Sequence, residues 1–326
     1  MGLHYRLVEN DDLPGVQRLW REETNWGTVG EDLWRRLVVE APDWAKVSGT
    51  VATDESGRIV GQFAFLPSLV AIGEREVRAF RPGAPIVSRT LRFRDSNPLN
   101  HPAVRMYSYA VKALRARGDG LIYMVPDPRW ARLFKMFPVL RSGSFPHWQL
   151  PLPLEAPLAH GAGWSAARVA ALQDPRIDAL WERARRLYGC MVVRDTRTLG
   201  WKLHEPGYEV WGVERGGELL GMASGRPKGD RQWLLCDVMA VDSGEALRET
   251  VVAAVNAAHE SALASAGAAK PIHKIGVLTT PPMEPVLSEL GFRRDAYDFP
   301  LIIHVLDKSL TRREIDPARW YISAND

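Results

Sequence analysis

Cysteine is nearly absent from this chain. Cys190 and Cys236 are its only two in 326 residues, and neither has a CxxC partner, so neither a disulfide framework nor a zinc site is suggested and two buried thiols are the expectation. Eight histidines are scattered without metal-ligand spacing, so no metal is expected. No apolar run approaches the length needed to span a bilayer. The opening Met1-Gly2-Leu3-His4-Tyr5-Arg6 lacks the charged and apolar blocks of a signal peptide, so the reading is cytoplasmic, with no membrane partner. An excess of one charge is missing too. The net charge of +3 suits an anionic ligand such as a nucleotide but is too small to argue for nucleic acid by itself.

What the chain does contain is a repeat. Gly57-Arg58-Ile59-Val60-Gly61-Gln62-Phe63-Ala64-Phe65 returns as Gly217-Glu218-Leu219-Leu220-Gly221-Met222-Ala223-Ser224-Gly225. In each copy a turn glycine leads into β-type residues and a second glycine follows inside the strand, the pattern of a hairpin entering a strand with a bulge or a close backbone approach. Trp34-Arg35-Arg36-Leu37 ahead of Pro42 likewise matches Trp201-Lys202-Leu203 ahead of Pro206. The length suits two cores. We therefore expect two copies of one unit, residues 1–153 and 164–326, with Pro146, Pro151, Pro153, Pro157 and Gly161-Ala162-Gly163 marking a linker.

The first copy reads in order as a strand over residues 4–8, a helix opened by Asp11-Asp12-Leu13-Pro14, and a second helix ended before Pro42. Strands follow over 48–53 and 58–66, then an extended run through Val70, Ile72, Val77 and Phe80, then residues 84–93. Pro102 takes the favoured first position of a helix ending at Gly118; residues 121–125 form a buried strand, 130–137 a short helix and 139–150 a last strand. The second copy repeats the order from Trp164, with helices from Asp174-Pro175 and Thr196 and strands over 208–214, 218–225, 232–241 and 275–279. The fold class is α/β with a mixed sheet.

This order of elements, present in both copies, resembles the GNAT superfamily of acyl-CoA N-acyltransferases. The resemblance implies tandem GNAT domains that hold the donor's pantetheine between two splayed strands. It also implies that the donor's pyrophosphate rests on the amides of the loop entering the next helix, as anions do at helix N-termini. That loop has a glycine-rich signature in the family, whereas here it reads Ser96-Asn97-Pro98-Leu99-Asn100-His101, with Arg92, Arg94 and Arg105 around it. The donor-binding candidates are thus Arg92, Arg94, Asn97, Asn100, His101 and Arg105. In the second copy Asp242 and Glu245 flank Ser243-Gly244, and like charge disfavours a phosphate there. The general-acid tyrosine that many members carry in the short helix is replaced by Phe134, and in the second copy by Leu287.

Three residues are candidates for chemistry. Asp237 is a carboxylate within Leu234-Leu235-Cys236-Asp237-Val238-Met239, where burial would raise its pKa towards that of a base; the competing reading is a strand-end aspartate or a structural ion pair. Tyr123 could donate to a carbonyl or leaving group, or be core with a satisfied hydroxyl. His147 sits near the expected boundary between the copies. The function implied is transfer of an acyl group from acyl-CoA to the amine of a small-molecule acceptor, with the first copy holding the donor and the second shaping the acceptor cleft. Two alternatives stay open: aminoacyl-tRNA as donor, as in the Fem-type tandem members, and a noncatalytic module that binds a ligand or partner.

Overall fold

The structure, a computed structural model, describes residues 2–25, 27–83, 85–92, 97–126, 137–203, 207–229 and 231–326. Its two glycine-marked stretches become the strands β3 (Ile59–Ile72) and β11 (Glu218–Lys228), paired antiparallel with β2 (Ser48–Thr53) and β10 (Glu209–Arg215). The ladder skips a residue at the same place in both. Ala52 faces Gly61 and Thr53 faces Ile59, while Val213 faces Gly221 and Glu214 faces Leu219. Both forms of the expectation therefore hold: each copy bulges, at Val60 and Leu220, and each second glycine lies under a helix. A Cβ on Gly61 would press on Met106 of the helix Pro102–Ala116, and one on Gly221 would collide with Thr250 of the helix Glu245–Ala264.

Around these strands the copies build alike. The first runs through β1 (His4–Leu7), the helices Leu13–Glu23 and Glu31–Trp34, β2, β3, β4 (Arg75–Pro82), the helix Pro102–Ala116, β6 (Leu121–Met124) and β7 (Leu140–Pro151). The second runs through β8 (Trp164–Arg168), the helices Pro175–Ala184 and Thr196–Lys202, β10, β11, β12 (Gln232–Ala240), the helix Glu245–Ala264, β13 (Lys274–Leu278), the helix Glu284–Glu289 and β14 (Arg293–Val305). Helix starts follow their capping chemistry. The Asp174 carboxylate accepts from the Arg176 amide and that of Asp195 from the Thr198 amide, with Pro175 in the first turn of the former helix.

The copies are joined by exchange. The strand order is β1-β2-β3-β4-β6-β14-β7-β13-β12-β11-β10-β8, so the last strand of the second copy pairs with β6 of the first, and β7 of the first pairs with β13 of the second. One further cluster of apolar side chains spans both copies, with Val70, Tyr123 and Phe145 against Cys190, Leu301 and Trp320. Both cysteines are free and buried, and burial pushes each thiol up to about 12.

Three local readings need correction. Pro146 and Pro151, taken as linker, lie inside β7. Proline lacks an N–H for the ladder, and Pro146 is accommodated where the β7–β14 register breaks between Arg294 and Asp298. Residues 84–93 do not form one strand: β5 (Ile86–Val87) is followed by a helical turn over Arg89–Arg92, which Arg92 closes by donating to the Val87 carbonyl. The missed pair β9 (Cys190–Val192) and β15 (Trp320–Tyr321) attaches the second copy to β3 of the first, through Val70 opposite Val192. The short helix expected over 130–137, Phe134 included, falls outside the described residues apart from Phe137. Among the described residues no helix is long and apolar enough to cross a membrane.

Candidate functional site

Parallel pairing of β4 with β6 is confined to Ala79 opposite Leu121 and Phe80 opposite Ile122, and the strands part beyond it. The next residues are Arg81 and Tyr123. Beside this opening lies a cavity of about 260 Å³ that both copies line. The first copy contributes Leu33, Leu37, Leu66, Ser68 and Arg81; the second contributes Trp201, Lys202, Tyr208, Arg226 and Asn325. The repeated tryptophan segments meet here, since Arg36 donates to the Trp201 carbonyl at 2.7 Å and its guanidinium stacks 4.5 Å from the Trp201 ring.

A buried charge network backs the cavity. Arg194, 1% exposed, donates to Asp237 and to Asp326, each at 2.7 Å, and to Ser323 at 3.1 Å. Burial works against its charge, but the two carboxylates outweigh burial and hold the guanidinium above its ordinary pKa. Lys202 lies 3.6 Å from Asp326 Oδ1, too far for a hydrogen bond, and burial pulls its ammonium down to about 8 against the attraction of that carboxylate. Arg81 donates to the main-chain oxygen of Asp326 at 2.6 Å. Tyr208 donates to Asn325 at 3.0 Å, and the Arg226 guanidinium stacks on the Tyr208 ring at 4.5 Å.

The helices that follow the parted strands differ at their starts. Before Glu245–Ala264, the Asp242 carboxylate accepts from the amides of Gly244 at 2.8 Å and Ala246 at 3.2 Å. Those donors are spent on the chain's own anion, so the residues there do not fit a pyrophosphate. At Pro102–Ala116 the cap is the His101 imidazole, whose Nδ1 accepts from Ala103 at 3.2 Å and whose pKa burial holds below the ordinary value. Arg105 bonds Asn100 at 2.9 Å on the same turn, leaving a positive, carboxylate-free end among the described residues there.

No protein-family model matches the chain, and no curated protein matches it in sequence. Solved structures do. A GCN5-related N-acetyltransferase from Anabaena variabilis ATCC 29413 superposes with a TM-score of 0.67 at 10% identity, over 94% of this chain and 73% of that one. A tandem GNAT protein from the clavulanic acid biosynthesis pathway gives 0.59 at 17% identity, over 95% and 100%. The Saccharomyces cerevisiae N-myristoyltransferase, solved with bound myristoyl-CoA, gives 0.59 at 11% identity, over 92% and 78%. This chain has a tandem GNAT fold. The architecture that the sequence resembled is the one it adopts, and at these identities the likeness shows the fold.

Within the tandem GNAT fold the three candidates for chemistry do not converge. Tyr123 is buried at 0% exposure and its hydroxyl donates to Ser68 Oγ at 3.0 Å; burial pushes the phenol up to about 12. Ser68, not Tyr123, faces the cavity. Asp237 is held by Arg194 through one oxygen, while the other accepts from the Val238 amide at 3.0 Å and the Tyr321 hydroxyl at 3.3 Å. It is an ion-pair anchor one residue pair removed from the cavity wall. His147 lies elsewhere, on the β7–β13–β14 seam, 3.6 Å from Asp295 and 3.5 Å from Gln232, and burial lowers its pKa.

Of the donor-loop candidates, Asn97, Asn100, His101 and Arg105 gather before and within the first turn of Pro102–Ala116. Arg92 keeps its main chain on His101 but spends its guanidinium on Val87 and on Glu23, 3.3 Å from its carboxylate. Arg94 lies outside the described residues. Among those described, no group of three or more His, Cys, Asp or Glu is placed to hold a metal ion. The cavity residues Ser68, Arg81 and Lys202 escaped the sequence reading; Lys202 had one signal, its place in the repeated tryptophan segment.

Proposed function

We propose that the chain is an N-acyltransferase that moves an acyl group from acyl-CoA to the amine of a small molecule, in the cavity between its copies. The observation that carries this is the parting of β4 and β6 beside a cavity lined by both copies. The donor enters past Phe80 and Ile122, its phosphates towards Asn97, Asn100, His101 and Arg105. The amine nitrogen attacks the thioester carbonyl, the C–N bond forms, the C–S bond breaks, and the amine's proton leaves to water in the cavity. The proton that the amine releases passes through that water to the departing thiolate; Ser68 donates a hydrogen bond to the sulfur and is held in place by the Tyr123 hydroxyl behind it, so Tyr123 acts as a positioning residue. Asp237 fixes Arg194, and with it the floor of the cavity.

The test is thermal stabilisation of the full chain by a panel of CoA thioesters beside a mixture of charged tRNAs, together with release of free CoA in the presence of amines. Stabilisation and thiol release by one class of thioester are expected. Stabilisation by charged tRNA alone moves the donor to aminoacyl-tRNA, an alternative favoured by the proline and the missing glycines of the donor loop. No response to either overturns the transferase reading. With a substrate in hand, Ser68→Ala is expected to lower kcat about a hundredfold, with Tyr123→Phe lowering it less.

A further inference from the structure

Resting on that reading, we propose that Lys202 is its catalytic base: Lys202 Nζ takes the proton that the acceptor amine releases into the cavity water and returns it, by the same water, to the departing thiolate. As the amine attacks, its N–H becomes acidic and the proton needs a place on the wall. The described lining offers few. It holds no aspartate, glutamate or histidine. Arg81 and Arg226 keep their protons at any ordinary pH, and the hydroxyls of Ser68 and Tyr208 are too weakly basic to take one. What remains is Lys202, whose side chain is 20% exposed there.

The surroundings of Lys202 suit both of its states. Asp326 is held at Oδ2 by Arg194 at 2.7 Å and by the Ser323 amide at 2.9 Å, and Arg81 donates to its main-chain oxygen at 2.6 Å. Its other side-chain oxygen, Oδ1, is buried, accepts no hydrogen bond among the described residues and lies 3.6 Å from Lys202 Nζ. That ion pair stabilises the ammonium which proton uptake creates. Asp237 adds to the attraction, while Arg194 and Arg81 add like charge; burial outweighs both carboxylates and pulls the ammonium down to about 8. Arg226, also on the wall, stacks on the Tyr208 ring. A neutral amine is therefore populated close to neutral pH, and its conjugate acid has a carboxylate beside it, the balance that a base working near that pH requires.

The experiment begins with the unaltered full chain. Competitive acetylation by acetic anhydride over a range of pH, read by mass spectrometry of the Lys202 peptide, is expected to give a midpoint near 8 against an ordinary 10.5. With a thioester and amine that release CoA, kcat is expected to rise with pH up to about 8 and to level off above it. Lys202→Met and Lys202→Arg should each lower kcat about a hundredfold above that pH and lose the rise, the acceptor's own titration being common to all three chains. Arginine keeps the positive charge opposite Asp326 but cannot give up its proton, so near-normal turnover by a folded Lys202→Arg chain assigns Lys202 to structure and overturns the proposal. A labelling midpoint near 10.5, or a rate that stays level through this range, overturns it without relying on a variant. The parent reading fails differently: an unaltered chain that releases CoA from no thioester with any amine removes the transferase, and the base with it.

Discussion

Two helices occupy the same place in the two copies and begin with opposite chemistry. Glu245–Ala264 has its first amides closed by Asp242, and Glu245 beyond it is engaged by Arg215 and Trp164. Pro102–Ala116 begins with a proline and an imidazole cap and carries Arg105 in its first turn. A helix N-terminus attracts anions in both cases. In the second copy the anion is part of the chain, which seals the end and stabilises the helix; in the first a neutral ring closes the Ala103 amide and the His101 carbonyl those of Val104 and Arg105, so the end carries Arg105 without a carboxylate among the described residues. The bulged strands and the glycines beneath the helices are retained in both copies. Packing has thus been kept in both copies while the chemistry of the helix start has diverged, a carboxylate closing one and an imidazole the other.

The largest effect that bears on this comparison comes from cutting the copies apart. A chain ending near Leu158 leaves β6 without β14 and β7 without β13, so it should aggregate, as light scattering and gel filtration would show. A monodisperse, folded first copy would mean that the exchange is dispensable. Next in size, Arg194→Met leaves Asp237 and Asp326 buried without their partner and should cost roughly 3–5 kcal/mol in denaturant unfolding. A loss below about 1 kcal/mol would assign the network a lesser role.

A pH effect follows from the contact between Tyr107 of the first copy and His304 of the exchanged strand, 3.0 Å apart. Burial, with Arg115 adding, holds His304 at about 4 against an ordinary 6.5. Between those values the unfolded chain binds a proton that the folded chain refuses, so stability falls as pH drops through this window, by on the order of 3 kcal/mol. His304→Phe should flatten that slope, and an unchanged slope would place the titration elsewhere. The smallest effect is the sharpest test of the unlike helix starts. Arg105→Ala should weaken binding of a CoA thioester severalfold, about 1 kcal/mol, while Asp242→Asn leaves it unchanged. The opposite result would exchange the copies' roles.

The sequence made local structure legible where a residue has a local reason. Gly61 and Gly221 mark bulges because a strand glycine has few other uses, and Pro102 and Asp174 mark helix starts because their chemistry acts within one turn. Cys190–Val192 was not legible, since three buried apolar residues carry no period. Nor was the exchange of β14, because pairing partners more than a hundred residues apart leave no mark on either strand. The cavity was hidden for the same reason. Ser68 is an ordinary strand serine until Tyr123 is placed behind it, and Arg81 an ordinary strand arginine until Asp326 arrives from the far end of the chain.

The exchanged strand also sets a timetable. β6 ends at Met124, and the strand that completes its edge begins only at Arg293. At a synthesis rate of about 5–20 residues per second, the ribosome takes roughly ten to thirty seconds to supply it. Throughout that interval the first copy presents an unpaired inner edge, with Leu121, Ile122 and Tyr123 bound for positions of 0% exposure. An inner edge open for that long can pair with other chains while this one is being made. Slowing translation between the two strands should lower the yield of folded protein without altering the product that does fold.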